Sequence, residues 1–145
     1  MQQLGRGTNK SLDLSVLANC SIEWLGNEVS CGVGMQRIDV LIGGKTSETR
    51  VVMPIELKDE KIDISNISQI QRYVDWLEQY YVTNTVSDIQ PILIAQYDNN
   101  KESARYINTV NGIREFNRKN SRHLPLKYIE FTLNNDALIF TPVEY

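Results

Sequence analysis

The chain has 145 residues, 41% of them hydrophobic and 23% charged, which suits one domain around one core and excludes a disordered or fibrous chain. No apolar run approaches the roughly 18 residues needed to cross a bilayer, and no signal-peptide stretch opens the chain, so a cytoplasmic protein without membrane association is expected. The net charge of −3 excludes a uniformly basic nucleic-acid binder, although catalytic carboxylates lower the total and a local basic patch can coexist with it.

Residues 1–10 read as a flexible lead-in and 11–145 as a single domain. Over residues 12–25 the positions Leu14, Leu17, Ala18, Ile22 and Leu25 fit a helical stripe. Extended segments are expected over 28–34, 36–42 and 49–58, with Gly43, Gly44, Lys45, Thr46 and Ser47 turning between the last two in an antiparallel meander. Asp63 or Ser65 caps a helix running to about Tyr81, in which Ile67, Ile70, Val74, Leu77 and Tyr81 recur at spacings of three and four. Pro91 introduces the apolar run 92–95, a strand covered on both faces and paired in parallel. A helix over 101–119 turns Tyr106, Ile107, Val110, Ile113 and Phe116 inward, and strands follow over 126–133 and 137–143. The order αβββαβ followed by a helix and two strands is an α/β arrangement, a mixed sheet flanked by helices. Cys20 and Cys31 are too few for a disulfide scaffold and lack the partners of a zinc site, which makes them buried thiols.

Chemistry concentrates on two of these strands. In the run Ile55, Glu56, Leu57, Lys58 alternation places Glu56 and Lys58 on one face. Pairing with the strand that carries Asp39 sets a second carboxylate beside Glu56. Two adjacent carboxylates repel unless a cation or a shared proton relieves them. Hard oxygen ligands suit Mg²⁺ or Mn²⁺, and the Leu57 carbonyl between Glu56 and Lys58 is a third candidate ligand. Such a metal would polarise a phosphodiester and lower the pKa of a bound water, while Lys58 would hold that water or stabilise the phosphorus centre. On the following helix Gln69 and Tyr73 share a face; a Gln there could orient a metal-bound water or a phosphate. His123, the one histidine, reads as a surface residue.

The series of an Asp strand, a Glu-x-Lys strand and a helix bearing Gln-x-x-x-Tyr resembles the PD-(D/E)xK nuclease superfamily. More narrowly, residues 34–41, 52–58 and 68–77 look like the catalytic domain of the NucS/EndoMS endonucleases. The resemblance implies a restriction-endonuclease-like core and an endodeoxyribonuclease acting on mismatched, branched or single-strand-junction DNA. It also implies Mg²⁺ on Asp39 and Glu56, Lys58 as the catalytic lysine, and Gln69 with Tyr73 as an auxiliary pair. Glu23 or Glu28 would supply an extra acidic ligand. DNA is the implied partner, with a homodimer or a separate DNA-binding domain or subunit to hold it. Arg37, Lys45 and the concentration Arg114, Arg118, Lys119 and Arg122 are the expected DNA contacts. The competing expectations are a noncatalytic DNA-binding or assembly module that keeps the fold, and a restriction-type or Holliday-junction-resolving nuclease.

Overall fold

A computed structural model describes residues 20–32, 36–82 and 87–145. The expected lead-in, residues 12–19 of the first expected helix and residues 33–34 of the first expected strand lie outside the described residues. Seven strands form one mixed sheet in the order β1 (Ser21–Ser30), β2 (Arg37–Lys45), β3 (Arg50–Leu57), β5 (Ile92–Gln96), β6 (Lys127–Asn134), β7 (Ala137–Val143), and β4 (Ser87–Ile89) lies beside β3. β1, β2 and β3 are antiparallel, β3, β5 and β6 are parallel, and β7 returns antiparallel. Two helices make the parallel crossovers, α1 (Ile64–Leu77), which continues as a π-helical turn over Glu78–Val82, and α2 (Ala104–Lys119). Both crossovers step across the sheet in the same direction, so a common hand lays both helices on one face. There α1 and α2 bury Ile67, Ile70, Val74, Leu77, Val110, Ile113 and Phe116 with the sheet residues Leu41, Val52, Leu93 and Tyr128. The opposite face gathers Val40, Ile42, Met53, Ile55, Ile92, Ile94 and Ile129.

Residues 21–25, expected as the end of a helix, belong to β1. A β-bulge between Ile22 and Trp24 shifts the register, so that Ile22 pairs with Gly44 and Leu25 with Ile42. Those partners are two apart on β2 and share a face, which puts Ile22 and Leu25 on one face although they are three apart. The bulge thus imitates helical spacing in a strand.

The expected turn at Gly43 and Gly44 is strand interior. A Cβ on Gly43 would overlap the Trp24 indole, and one on Gly44 would press on Cys20 and the Ser21 carbonyl. These glycines let β1 lie close on β2. The chain reverses instead at Thr46–Thr49, where Thr46 Oγ1 accepts from the Thr49 N–H at 3.0 Å and donates to the Thr49 carbonyl at 3.0 Å. Replacing Gly43 by Ala is therefore expected to lower the thermal midpoint, by an overpacking cost of about 1–3 kcal/mol. Gly112→Ala meets only the flexible tip of Ile64 and serves as the control; thermal melts giving equal midpoints for both variants would sink the close-approach reading.

α1 opens on the Asp63 cap, whose carboxylate accepts from Ser65 N–H at 3.1 Å while the Asn66 side chain accepts from Asp63 N–H at 2.8 Å, the reciprocal box that satisfies two free donors. α2 starts at Ala104 behind the Ser103 cap, three residues later than the spacing suggested. Thr109 takes an inward position with its hydroxyl donating to the Arg105 carbonyl at 2.7 Å, and Ile107 faces solvent. β4 was not expected. It and β5 flank Gln90 and Pro91 and pair with successive halves of β3; the proline lacks the N–H that a continuous strand would need there. Both described cysteines are free thiols, Cys31 buried and Cys20 half-buried.

Candidate active site

The C-terminal ends of parallel strands are where open α/β sheets place ligands. At that end of β3, beside β2, the sheet brings Asp39, Glu56 and Lys58 together. Val40 pairs with Ile55, so the register continues to Asp39 opposite Glu56. Asp39 Oδ2 accepts from the Leu57 N–H at 2.9 Å. Lys58 Nζ lies 3.1 Å from Glu56 Oε1. The Lys58 N–H donates to Ile94 O at 2.8 Å on the β5 side, so Leu57, one residue earlier, directs both its N–H and its carbonyl toward β2 and Asp39.

Glu56 is 1% exposed, an unusual place for a carboxylate. Burial pushes its pKa up, the Asp39 charge adds to that, and Tyr73 and Lys58 only partly offset it. Tyr73, from the middle of α1, places its hydroxyl oxygen 2.6 Å from Glu56 Oε2, 2.9 Å from the Arg37 carbonyl and 2.8 Å from Gln69 Nε2. A phenol has one proton and the Arg37 carbonyl can only accept. Gln69 donates to the Tyr73 oxygen, and the single phenol proton is shared between Glu56 Oε2 and the Arg37 carbonyl. Burial, then the Glu56 contact, push the Tyr73 pKa well up, so the phenol stays neutral and serves as a donor and orienting group. Gln69 reaches the cluster through Tyr73.

The donor set tests what could bind. Among the described residues no group of three or more His, Cys, Asp and Glu side chains is arranged around a metal. The Asp39 and Glu56 carboxylates and the Leu57 carbonyl make an all-oxygen, partial set. That fits a hydrated Mg²⁺ or Mn²⁺, which keeps several waters, and does not fit a closed zinc or calcium cage.

Other expected site residues are not brought here. Glu23 sits at the bulge of β1 beside Gly43 and Gly44, roughly 13 Å along the sheet from Asp39, and its carboxylate lies 3.5 Å from Arg50 Nε; it is not a ligand of this site. Glu28 lies 3.6 Å from Arg37, and both are exposed on the rim beside Asp39. Lys45 is six residues from Asp39, about 20 Å along β2. Arg118 and Lys119 are in the last turn of α2, Arg114 is in its second half and Arg122 lies just past its end; the N-terminus of this helix, about 24 Å long, lies at the site end of the sheet. Arg118 pairs with Glu115, and Arg122 with Glu78, so part of this basic charge is offset locally. His123 is not a surface residue: its side chain is 7% exposed with Nε2 2.6 Å from Glu78 Oε1. The order of residues along α2 could not reveal which end of the helix faces the site.

A second buried polar cluster escaped notice in the sequence. Its signal was available: Glu130 interrupts the apolar run Tyr128, Ile129, Phe131 much as Glu56 interrupts Ile55 and Leu57. Glu130 Oε2 accepts from Tyr128 Oη, Asp98 N–H and Lys101 Nζ at 2.9, 2.9 and 2.8 Å. Asp98 accepts from Arg105 at 2.7 Å and from Asn100 N–H at 2.9 Å.

A sequence profile described as the endonuclease NucS C-terminal domain matches residues 27–124, and no curated protein matches by sequence. Among solved structures, a repair endonuclease from Pyrococcus abyssi aligns with 23% identity and a TM-score of 0.49 over 81% of this chain and 41% of its own. The chain thus spans less than half of that protein's length. Since the profile covers more than half of the chain, including Asp39, Glu56, Lys58, Gln69 and Tyr73, the chain belongs to the family of endonuclease NucS C-terminal domains.

Proposed function

We propose that this protein is a Mg²⁺-dependent endodeoxyribonuclease of the PD-(D/E)xK type with a restriction-endonuclease-like core. The observation that carries the reading is the convergence of Asp39, Glu56 and Lys58 at the C-terminal end of β3, with a buried glutamate whose carboxyl is held between a lysine and a tyrosine. Asp39, Glu56 and the Leu57 carbonyl would hold the ion. When bound, Mg²⁺ supplies charge neutralisation at the scissile phosphate and a water acidic enough to attack it. Lys58 orients that water and stabilises charge at phosphorus. Tyr73, braced by Gln69, fixes the Glu56 rotamer, and Asp39 is fixed by the Leu57 N–H. Orientation of this kind keeps donors from having to reorganise during reaction.

Membership of an endonuclease family supports DNA as the substrate, with mismatched, branched or single-strand-junction forms as the candidates. The distance of the α2 basic end from the cluster supports a further DNA-holding surface, on a second copy or on a separate domain or subunit. Supercoiled plasmid and labelled mismatched, forked and fully paired oligonucleotides, incubated with Mg²⁺ or Mn²⁺, test the reading. Cleavage by the wild type that Lys58→Ala abolishes supports it. Equal cleavage by both proteins, or cleavage indifferent to EDTA, would sink it. Metal-independent DNA binding without cleavage would favour the noncatalytic module.

A further inference from the structure

Arg37 opens β2 two residues before Asp39, and its backbone is tied to the cluster. The Tyr73 hydroxyl lies 2.9 Å from the Arg37 carbonyl and 2.6 Å from Glu56 Oε2, so one group fixes the Arg37 main chain beside the buried glutamate. Glu28 approaches the same place from β1. Asn27 pairs with Val40 and Val29 with Ile38, which sets Glu28 opposite Asp39, as Asp39 is set opposite Glu56. Three acidic residues thus fall in one row across β1, β2 and β3. Like charges facing each other across neighbouring strands repel. Glu28 departs from the regular strand with a φ of 49°, the left-handed region that a long L side chain seldom enters, and its carboxylate is found against Arg37, 3.6 Å from Nη1. The chain closes just beyond, where the Cys31 N–H donates to the Gln36 carbonyl at 3.0 Å, so the strand ends that carry the pair are fixed.

The pair itself is loose. Its side chains are 51% and 73% exposed and its one contact is longer than a hydrogen bond, and ion pairs of this kind contribute little and exchange readily. Other cations at this end of the sheet are not free to change partners. Lys58, Lys101 and Arg105 are held at 3.1, 2.7 and 2.7 Å by Glu56, Glu130 and Asp98, all of them buried, and releasing any of the three would leave a buried carboxylate unpaired. Arg37 can leave Glu28 to water at small cost. A guanidinium offers a planar fork that fits two oxygens of a phosphodiester better than one distant carboxylate oxygen. Glu28, meanwhile, adds a negative charge where a polyanion must approach.

We propose that Glu28 and Arg37 form a charge latch at the edge of the catalytic cluster: in the free protein the Glu28 carboxylate occupies the Arg37 guanidinium, and a phosphodiester of DNA seated at Asp39, Glu56 and Lys58 takes its place. The inference rests on the nuclease reading for its choice of DNA as ligand. Arg37 then contributes to binding only in contact with the strand, because its charge is masked until a phosphate displaces Glu28.

A double-mutant cycle tests the latch, read by fluorescence anisotropy of the 145-residue protein with a labelled forked oligonucleotide in EDTA at low ionic strength. Both side chains are exposed, so Glu28→Gln and Arg37→Gln should keep the fold. Glu28→Gln is expected to tighten binding about threefold, the scale of releasing one exposed pair. Arg37→Gln should weaken binding and make its salt dependence shallower by about one in log–log slope. In the Arg37→Gln background, Glu28→Gln should change affinity by less than about 1.5-fold, since nothing is left to release. The proposal is overturned by a wild type that does not bind the fork, by an Arg37→Gln affinity equal to that of the wild type, or by Glu28→Gln binding no tighter than the wild type. It is equally overturned by the same gain from Glu28→Gln in both backgrounds, which would mark simple repulsion. Metal-dependent cleavage without coupling between the two residues would remove the latch alone. Coupling in a protein that never cleaves would remove the nuclease reading and leave the latch.

Discussion

Glu56→Gln is expected to lower DNA cleavage by at least about 100-fold, the scale of losing an electrostatic or metal-orienting group, while raising the thermal midpoint. The two effects have one cause. Glu56 is buried beside Asp39, and its pKa in the folded state is raised above the unfolded value. Folding therefore binds a proton, and wild-type stability declines as pH rises from the unfolded carboxyl value near 4.3 toward the higher folded value. A glutamine escapes that decline. Its amide can donate to Tyr73 and accept from Lys58, so it keeps the contacts that Glu56 makes without its charge. A gain of about 1 kcal/mol, or about 3 °C at this chain length, is expected at neutral pH and should vanish below pH about 4. Scanning calorimetry at the two pH values, paired with a cleavage assay, checks both halves. A variant that cleaves DNA normally, or one that melts lower than the wild type at pH 7, would show that Glu56 is not held in this strained arrangement. Mg²⁺ should raise the wild-type midpoint and leave that of Glu56→Gln nearly unchanged, since a ligand stabilises only the state that binds it.

The centre of this site was legible in the sequence because its geometry is local. Alternation on β3 puts Glu56 and Lys58 on one face, and four-residue spacing on α1 puts Gln69 beside Tyr73. Asp39 needed only the pairing of adjacent antiparallel strands, which short connections favour. What could not be read depended on tertiary position. Glu23 and the arginines of α2 have suitable chemistry, yet their strand and helix carry them to other parts of the sheet. Residues 21–25 misled because a bulge changes the period from two to three, and Gly43 because close strand approach and a turn both call for glycine. Ile107 and Thr109 exchanged expected positions because polarity was taken as a guide to facing, whereas the Thr109 hydroxyl satisfies itself on its own helix. The buried partners of Glu130 come from β6, the loop after β5 and the start of α2. No spacing rule joins them.

That second cluster should govern stability as strongly as the first governs activity. Arg105→Ala leaves the fully buried Asp98 carboxylate without its guanidinium at 2.7 Å, and the remaining ammonium, on Lys61, stands 3.9 Å away. Removing one partner of a buried pair costs about 3–5 kcal/mol; the partial exposure of Arg105 places the expected loss at the lower end, about 3 kcal/mol at pH 7. The pH dependence tests the electrostatic origin. Burial alone would raise the Asp98 pKa, but the Asn100 N–H and the Arg105 guanidinium more than offset it and hold the carboxyl below its ordinary range. A depressed folded pKa gives a contribution that is complete above the unfolded value near 3.9 and is lost as pH falls through the folded value. The destabilisation by Arg105→Ala, measured by urea unfolding, should thus be largest at neutral pH and shrink steadily below about pH 4. A loss of the same size at pH 7 and pH 3 would assign Arg105 a packing role along α2, and Arg105→Lys would then be as harmful as Arg105→Ala. With the charge pair responsible, Arg105→Lys recovers part of the stability and none of the two-pronged reach to both Asp98 and the Ile62 carbonyl, the link that ties the loop after β5 to the segment leading into α1.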